Sequence, residues 1–284
     1  DDVRAAVEAL EPGLQANVQL TEMTDEERRR IFGSQAPAET VAQKASNVQR
    51  VVAVMSGKGG VGKSSVSALL AVALRRKGLR VGLLDADITG PSIPRMFGLH
   101  EPPVMGVNGM LPVESRTGIK VISINLLLPT EEEAVVWRGP LISSAIRQFW
   151  TEVVWGDLDV LILDLPPGTS DPALTVMQSL PLNGVLMVTS PQDLAGMVVR
   201  KAAALASQLK VPIIGLVENM SYVLCPDCAR KVEVFGPSQA GRTAAQLGVP
   251  LLGSLPLDPE LARRADVGEI EDYPAEAFQP LAEE

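Results

Sequence analysis

Cysteine is almost missing from this chain: Cys225 and Cys228 are the only two in 284 residues, and together they make a single Cys-x-x-Cys. Two thiols cannot staple a secreted scaffold, so a reducing compartment of cytoplasmic type is expected. Basic charge is also in deficit, with 25 Lys and Arg against 34 Asp and Glu, a net charge of −9. That balance argues against a broad electrostatic footprint for nucleic acid or anionic lipid, and leaves other proteins as partners. No apolar run approaches the roughly 18–20 residues that a membrane span requires. The first residues, Asp1 and Asp2, are acidic, and neither a basic n-region nor an apolar h-region follows them. A targeting peptide already removed would leave the same sequence, so an organelle stays open.

What is present is an ordinary globular composition, 46% hydrophobic and 21% charged. Residues 1–34 read as a short helix, a strand and a second helix, too little to bury a core alone. They are expected to be an arm or part of a small α/β domain. Residues 35–48, rich in Ala, Ser and Gln, read as a linker. From there to residue 284, apolar strand-like runs alternate with helical patterns. The expected strands are Val51–Met55, Arg80–Leu84, Lys120–Leu126, Val160–Leu163, Val185–Thr189, Ile213–Val217 and Leu251–Leu255. Near-continuous Val, Ile and Leu suits strands buried on both faces of a parallel sheet. The clearest helix is Lys63–Lys77, with Val66, Leu69, Leu70, Ala73 and Leu74 on one face and Gly78 at its end. Leu141–Val154 and Asp193–Lys210 are further helices. The fold class is therefore α/β, a doubly wound and mostly parallel sheet.

The strand Val51–Met55 runs into Ser56-Gly-Lys-Gly-Gly-Val-Gly-Lys-Ser64 and then into the best helix. Gly57 to Ser64 fits GxxxxGK[ST], with the strand and helix where a P-loop needs them. Gly57, Gly59, Gly60 and Gly62 let backbone N–H groups of Lys58, Val61 and their neighbours turn inward on a polyphosphate. Lys63 would neutralise β/γ-phosphate oxygens, Ser64 would ligate Mg²⁺, and Ser65 closes the cradle. Two other strand ends carry carboxylates: Asp85 and Asp87 after Arg80–Leu84, and Asp164 after Val160–Leu163. Ligands of doubly wound folds sit at the carboxyl ends of strands, so these three acids are expected to converge on the loop, with Asp85 and Asp164 near the metal. A turn or helix-capping role is the plainer alternative for each.

The Cys-x-x-Cys selects among P-loop functions. Two thiolates at this spacing make a bidentate corner for a soft metal. A [4Fe–4S] cluster wants four thiolates and a zinc site four N or S ligands. One chain has two cysteines and one histidine, His100, whereas two chains have four cysteines, so a bridging site in a homodimer is expected. A redox-active dithiol and an inert pair are the other readings; a redox pair would normally open a helix, and here Pro226 and the flanking Tyr222, Val223 and Leu224 suggest a loop or hairpin tip.

Lys58 inside the loop makes the sequence resemble the deviant Walker A class, which includes MinD/ParA partition ATPases and nitrogenase iron protein. That resemblance implies a nucleotide-sandwich homodimer in which Lys58 reaches the partner's nucleotide, Asp87 orients the attacking water and Asp164 is the Walker B acid. It further implies adenine recognition by Asn219, with Pro256 and Leu257 flanking the ring. The segments Asp85–Ser92, Trp137-Arg-Gly-Pro140, Trp155-Gly-Asp-Leu-Asp159, Asp164–Thr169, Ser190-Pro-Gln-Asp193, Asn219-Met-Ser-Tyr222 with the two cysteines, and Leu255-Pro-Leu-Asp-Pro259 together look like the Mrp/ApbC family of iron–sulfur cluster carrier ATPases. The resemblance spans roughly residues 45–275. It implies an ATPase that binds ATP and Mg²⁺, carries a cluster between two chains, and delivers it to apo iron–sulfur proteins alongside assembly factors. One departure stands out: Ala229-Arg-Lys-Val-Glu233 follows the cysteines where the family usually has Gly and His. The alternatives are a MinD/ParA-like positioning ATPase and a zinc-bridged regulatory ATPase. The first normally needs a basic C-terminal helix or face, whereas Asp272–Glu284 holds no Lys or Arg. Trp137, Arg138 and Trp155 also read simply as packing and surface charge.

Overall fold

The computed structural model describes residues 39–88, 90–128, 139–168, 171–274 and 278. The expected elements within 1–34 lie outside these residues, as do Trp137, Arg138 and Thr169. Thr40–Glu284 form one compact unit. The stretch read as linker already contains structure from Thr40 onward. Thr40 caps α1 (Val41–Lys44) through a reciprocal Thr40–Gln43 capping box, and β1 (Asn47–Ser56) begins three residues after it.

After β1 come α2 (Lys63–Arg76), β2 (Val81–Asp85) and α3 (Ile93–Met96). A small hairpin, β3 (Val104–Met105) with β4 (Met110–Leu111), precedes β5 (Val113–Glu114) and β6 (Lys120–Ser123). The chain continues through α4 (Gly139–Glu152), β7 (Asp157–Asp164), α5 (Asp171–Ser179), β8 (Gly184–Thr189) and α6 (Asp193–Gln208). It ends with β9 (Ile213–Leu224), β10 (Lys231–Val232), α7 (Ala240–Leu247), β11 (Leu251–Pro256) and α8 (Pro259–Val267).

Among the described residues nine strands form one sheet, in the order β10-β9-β8-β1-β7-β2-β6-β5 with β11 beside β9. The pairings from β9 across to β6 are parallel, as is β11 with β9; only β10 and β5 run antiparallel. All seven expected strands are present. Lys120–Leu126 is shorter than read, because a 3₁₀ turn, Ile124–Leu127, takes its second half. β9 is longer, running to Leu224.

Helices cover both faces, which is why β2 and β8 are buried throughout rather than on alternate residues. α4–α7 pack on one face, around Met55, Leu161 and Met187; α2 and α3 pack on the other, around Val54, Leu83 and Ile162. α2 is buried around most of its circumference, Ser67, Ala68 and Ala71 included, and not along one stripe alone. The C-terminal segment explains this: Arg76 donates to the carbonyls of Glu271 and Tyr273, strapping that segment over the helix. Among the described residues no helix is long and apolar enough to cross a membrane.

Candidate nucleotide and metal-thiolate sites

β1 lies between β7 and β8, the strands where the winding of the sheet reverses, so the loop after it opens into the crevice that such a reversal leaves. Gly60 and Gly62 adopt φ of +79° and +74°, a left-handed backbone that a side chain would strain. A Cβ on Gly62 would also collide with the Asn219 amide. The loop, with Ser64, Ser65 and Asp87, lines a cavity of about 230 Å³. A second cavity of about 440 Å³, lined by Arg200, Arg242 and Gln239 among others, contains no P-loop residue.

Lys63, 6% exposed, donates to Asp164 at 2.8 Å and stands 3.9 Å from Asp87. Asp164 also accepts from Ser64 Oγ at 2.5 Å and from Ser67 Oγ at 2.6 Å. A buried cation, two hydroxyls and a carboxylate thus share one point, each with a partner, as low-dielectric burial demands. The register explains the convergence: Asp85 and Asp164 face each other across β2 and β7, and Val54 of β1 pairs with Asp164.

Asp85 occupies this centre in a different way from its neighbours. Its carboxylate accepts from Ser123 Oγ at 3.1 Å and from the backbone N–H groups of Asp87 and Ile93. Burial first, and then the carboxylates of Asp164 and Asp87, push it up to about 8 against the pull of Lys63 and the Ser123 hydroxyl. In this arrangement Asp85 braces the turn that presents Asp87, a role the sequence alone did not suggest.

Lys58 does not fold back over its own loop. Its ammonium donates to the side-chain carbonyl of Gln192, in the Ser190–Asp193 segment after β8. Gly168, at φ +83°, donates its N–H to the Ser56 carbonyl at 2.9 Å and so ties the segment after Asp164 to the loop. Asn219, 4% exposed, donates to the Val61 carbonyl at 3.0 Å, placing it against the P-loop. Pro256 pairs with Tyr222, and the Leu257 N–H donates to the Tyr222 carbonyl at 2.7 Å, so both ring-flanking candidates lie along the same strand, β9.

Ser67 and Ser123 escape the sequence reading, and Gln192 enters it only as part of the Ser190–Asp193 motif, without a role. Ser67 had a signal: it stands four residues after Lys63 and therefore on the same helix face. Trp155, by contrast, is core, 1% exposed, with its indole N–H on the Phe149 carbonyl.

The cysteines sit at the far end of β9, in the turn that joins it to β10. Cys225 is half-buried and Cys228 exposed. The Cys225 N–H donates to the Arg230 carbonyl, and the Ala229 N–H returns to the Cys225 carbonyl. The backbone N–H groups of Cys228 and Asp227, with the Cys228 thiol, hydrogen-bond to the Cys225 sulfur and hold it below the usual thiol range. A shift in that direction eases the deprotonation that metal ligation requires. Among the described residues no cluster of three or more His, Cys, Asp or Glu forms a metal site, so one chain presents two thiols and no third ligand.

Residues 47–283 match the model of the ParA family described as NUBPL iron-transfer P-loop NTPase. The iron-sulfur cluster carrier protein of Methanocaldococcus jannaschii is 45% identical over 230 residues, 80% of this chain and 79% of the relative. A cytosolic Fe-S cluster assembly factor NUBP2 homolog from Trichoplax adhaerens is 46% identical over 239 residues, 81% of this chain and 90% of its own length. Among solved structures, a nucleotide-binding protein of Archaeoglobus fulgidus in complex with ADP, with cobalt found in it, superposes with a TM-score of 0.74 at 44% identity, covering 82% of this chain and 91% of that one. Pyrococcus furiosus MinD, at 24% identity and a TM-score of 0.60 over 83% of this chain and 97% of its own, shares the fold. This chain belongs to the NUBPL iron-transfer P-loop NTPase family.

Proposed function

We propose that this member of the iron-transfer P-loop NTPases is an iron–sulfur cluster carrier. Two copies hold a [4Fe–4S] cluster between their Cys225 and Cys228 pairs and hand it to apo-proteins, under the control of ATP at the P-loop. The observation that carries the reading is the hairpin itself: two cysteines, one with its thiol held below the usual range by backbone N–H groups, and no third ligand beside them among the described residues. Half a ligand set on an exposed turn suits cargo that must be both held and surrendered.

The nucleotide site fits ATP. The N–H groups of Gly57–Ser64 and the N-terminus of α2 receive the phosphates, and Lys63 turns from Asp164 to their oxygens. Ser64 and Asp164, already joined, offer the hard oxygen donors that Mg²⁺ takes, with Asp85 behind them. Mg²⁺ held by these residues would supply neutralisation of the negative charge on the phosphates. Asp87 orients a water whose oxygen bonds to the γ-phosphorus as the bond to the ADP oxygen breaks. Asn219 and the Pro256–Leu257 turn receive the adenine. Lys58, exposed enough to leave Gln192, is the group that reaches the partner's nucleotide.

Anaerobic reconstitution of the Cys225→Ala variant tests the assignment. Iron binding should be lost while ADP binding survives; iron retained at the wild-type ratio would refute it.

A further inference from the structure

β9 changes partners along its length, and the change falls between the two sites. Up to Glu218 it lies inside the sheet, with β8 on one side and β11 on the other. From Val223 it pairs with β10 in the hairpin that carries the cysteines. Between these halves the register breaks. Ser254 stands opposite Glu218 and Pro256 opposite Tyr222, so Asn219, Met220 and Ser221 face Leu255 alone. This is a bulge, which bends a strand and re-aims the residues beyond it. Its middle residue, Met220, has φ +57°, a left-handed backbone that a non-glycine side chain adopts at a cost.

The surroundings hold the bulge in this state from the nucleotide side. Asn219 is fastened to the Val61 carbonyl, and Ser221 Oγ donates to Glu218 at 2.5 Å across the bulge. The Met220 methyl lies 3.3 Å from where a Cβ of Gly62 would stand, so it packs on the P-loop. Beyond the bulge, Tyr222 is pinned by Leu257 and stacked by Lys231, whose Nζ is 4.1 Å from the ring centroid. Lys231 in turn belongs to the strand that closes the cysteine turn.

We infer that Met220 is a positioning residue that transmits nucleotide occupancy to the cysteine hairpin. A nucleotide that draws Asn219 from Val61 shifts the strained bulge, and β9 re-aims Cys225. The inference rests on the carrier reading for its purpose and on the geometry of β9 for its mechanism. A strained backbone that can relax to a second arrangement is the kind of element through which one site can bias another.

The test is the alkylation rate of Cys225 in the full chain carrying Cys228→Ser, with and without saturating Mg–ADP. Concentrations are chosen where sizing finds monomers in both states. The rate should change about fivefold or more with Met220 or Met220→Leu, which keeps the packing and the strain, and by less than about 1.5-fold with Met220→Gly, which relieves both. An equal response in Met220→Gly, or none with Met220 present, would overturn the inference. Iron counts on anaerobically reconstituted chains with both cysteines intact report separately. Loss of cysteine-dependent iron there sinks the carrier reading while the alkylation rates still decide the coupling.

Discussion

Lys63 and Asp164 are buried, mutually bonded and braced by Ser64 and Ser67, whereas Cys225 and Cys228 stand on a turn whose flanking Leu224, Val234 and Phe235 are largely exposed. The buried end of this system, which β9 touches at Asn219 in mid-strand, and the exposed end, where β9 runs out into the cysteine turn, are thus built oppositely. Phosphate chemistry needs charges fixed before the ligand arrives, because reorganising them in a dry site is costly. Cargo transfer needs thiols that a partner can reach, so the hairpin gives up burial and keeps only the N–H groups that favour a thiolate. Rigidity at one end and access at the other let a single strand serve both.

That contrast can be broken most severely at Lys63. Lys63→Ala leaves Asp164 buried without its cation, and should cost about 3 kcal/mol of stability and more than about 100-fold in nucleotide affinity. Denaturant unfolding and equilibrium titration with a fluorescent ADP measure both. Metal binding at the cysteines of the nucleotide-free chain should stay unchanged.

A second effect sharpens the buried end alone. The folded chain holds a proton on Asp85 up to about pH 8, whereas the unfolded chain releases it near the ordinary value of 3.8. Between these limits the folded state binds more protons, so nucleotide-free stability falls as pH rises and levels off above about 8. Asp85→Asn should flatten that fall, read as Tm against pH; an identical slope in the variant would remove Asp85 as its source.

The smallest effect belongs to the exposed end. Ala229, at φ +54°, takes a left-handed backbone at the start of Ala229–Glu233, the segment in which the sequence departs from the family it resembles. Ala229→Gly relieves that strain and should stabilise the turn by about 0.5–1 kcal/mol, the penalty of a Cβ there less the extra chain entropy of glycine. Tighter cobalt binding at Cys225 and Cys228, with no change in nucleotide affinity, is the readout.

How much of this was legible in the sequence obeys the same division. The P-loop could be read because its strand, glycines and helix are contiguous. Asp85, Asp87 and Asp164 could be read because they follow apolar runs. What escaped depends on pairing across the fold. Ser123 meets Asp85 only through the β2–β6 register, and Gln192 meets Lys58 across more than a hundred residues. The expected strand Ile213–Val217 stopped early because Glu218 and Asn219 end the apolar run. In the structure those polar residues continue the strand by turning toward Ser221 and the P-loop. The helix inside the 35–48 stretch escapes for a related reason: four residues held by one capping box leave too short a pattern to see.

The central claim, half a cluster site per chain, is tested most directly by anaerobic reconstitution followed by iron analysis and sedimentation. About four irons per pair of chains are expected, in a dimer that reverts to monomers when the cluster is stripped. A full cluster on a monomer, or a cluster-loaded dimer that persists in Cys225→Ala, would contradict it.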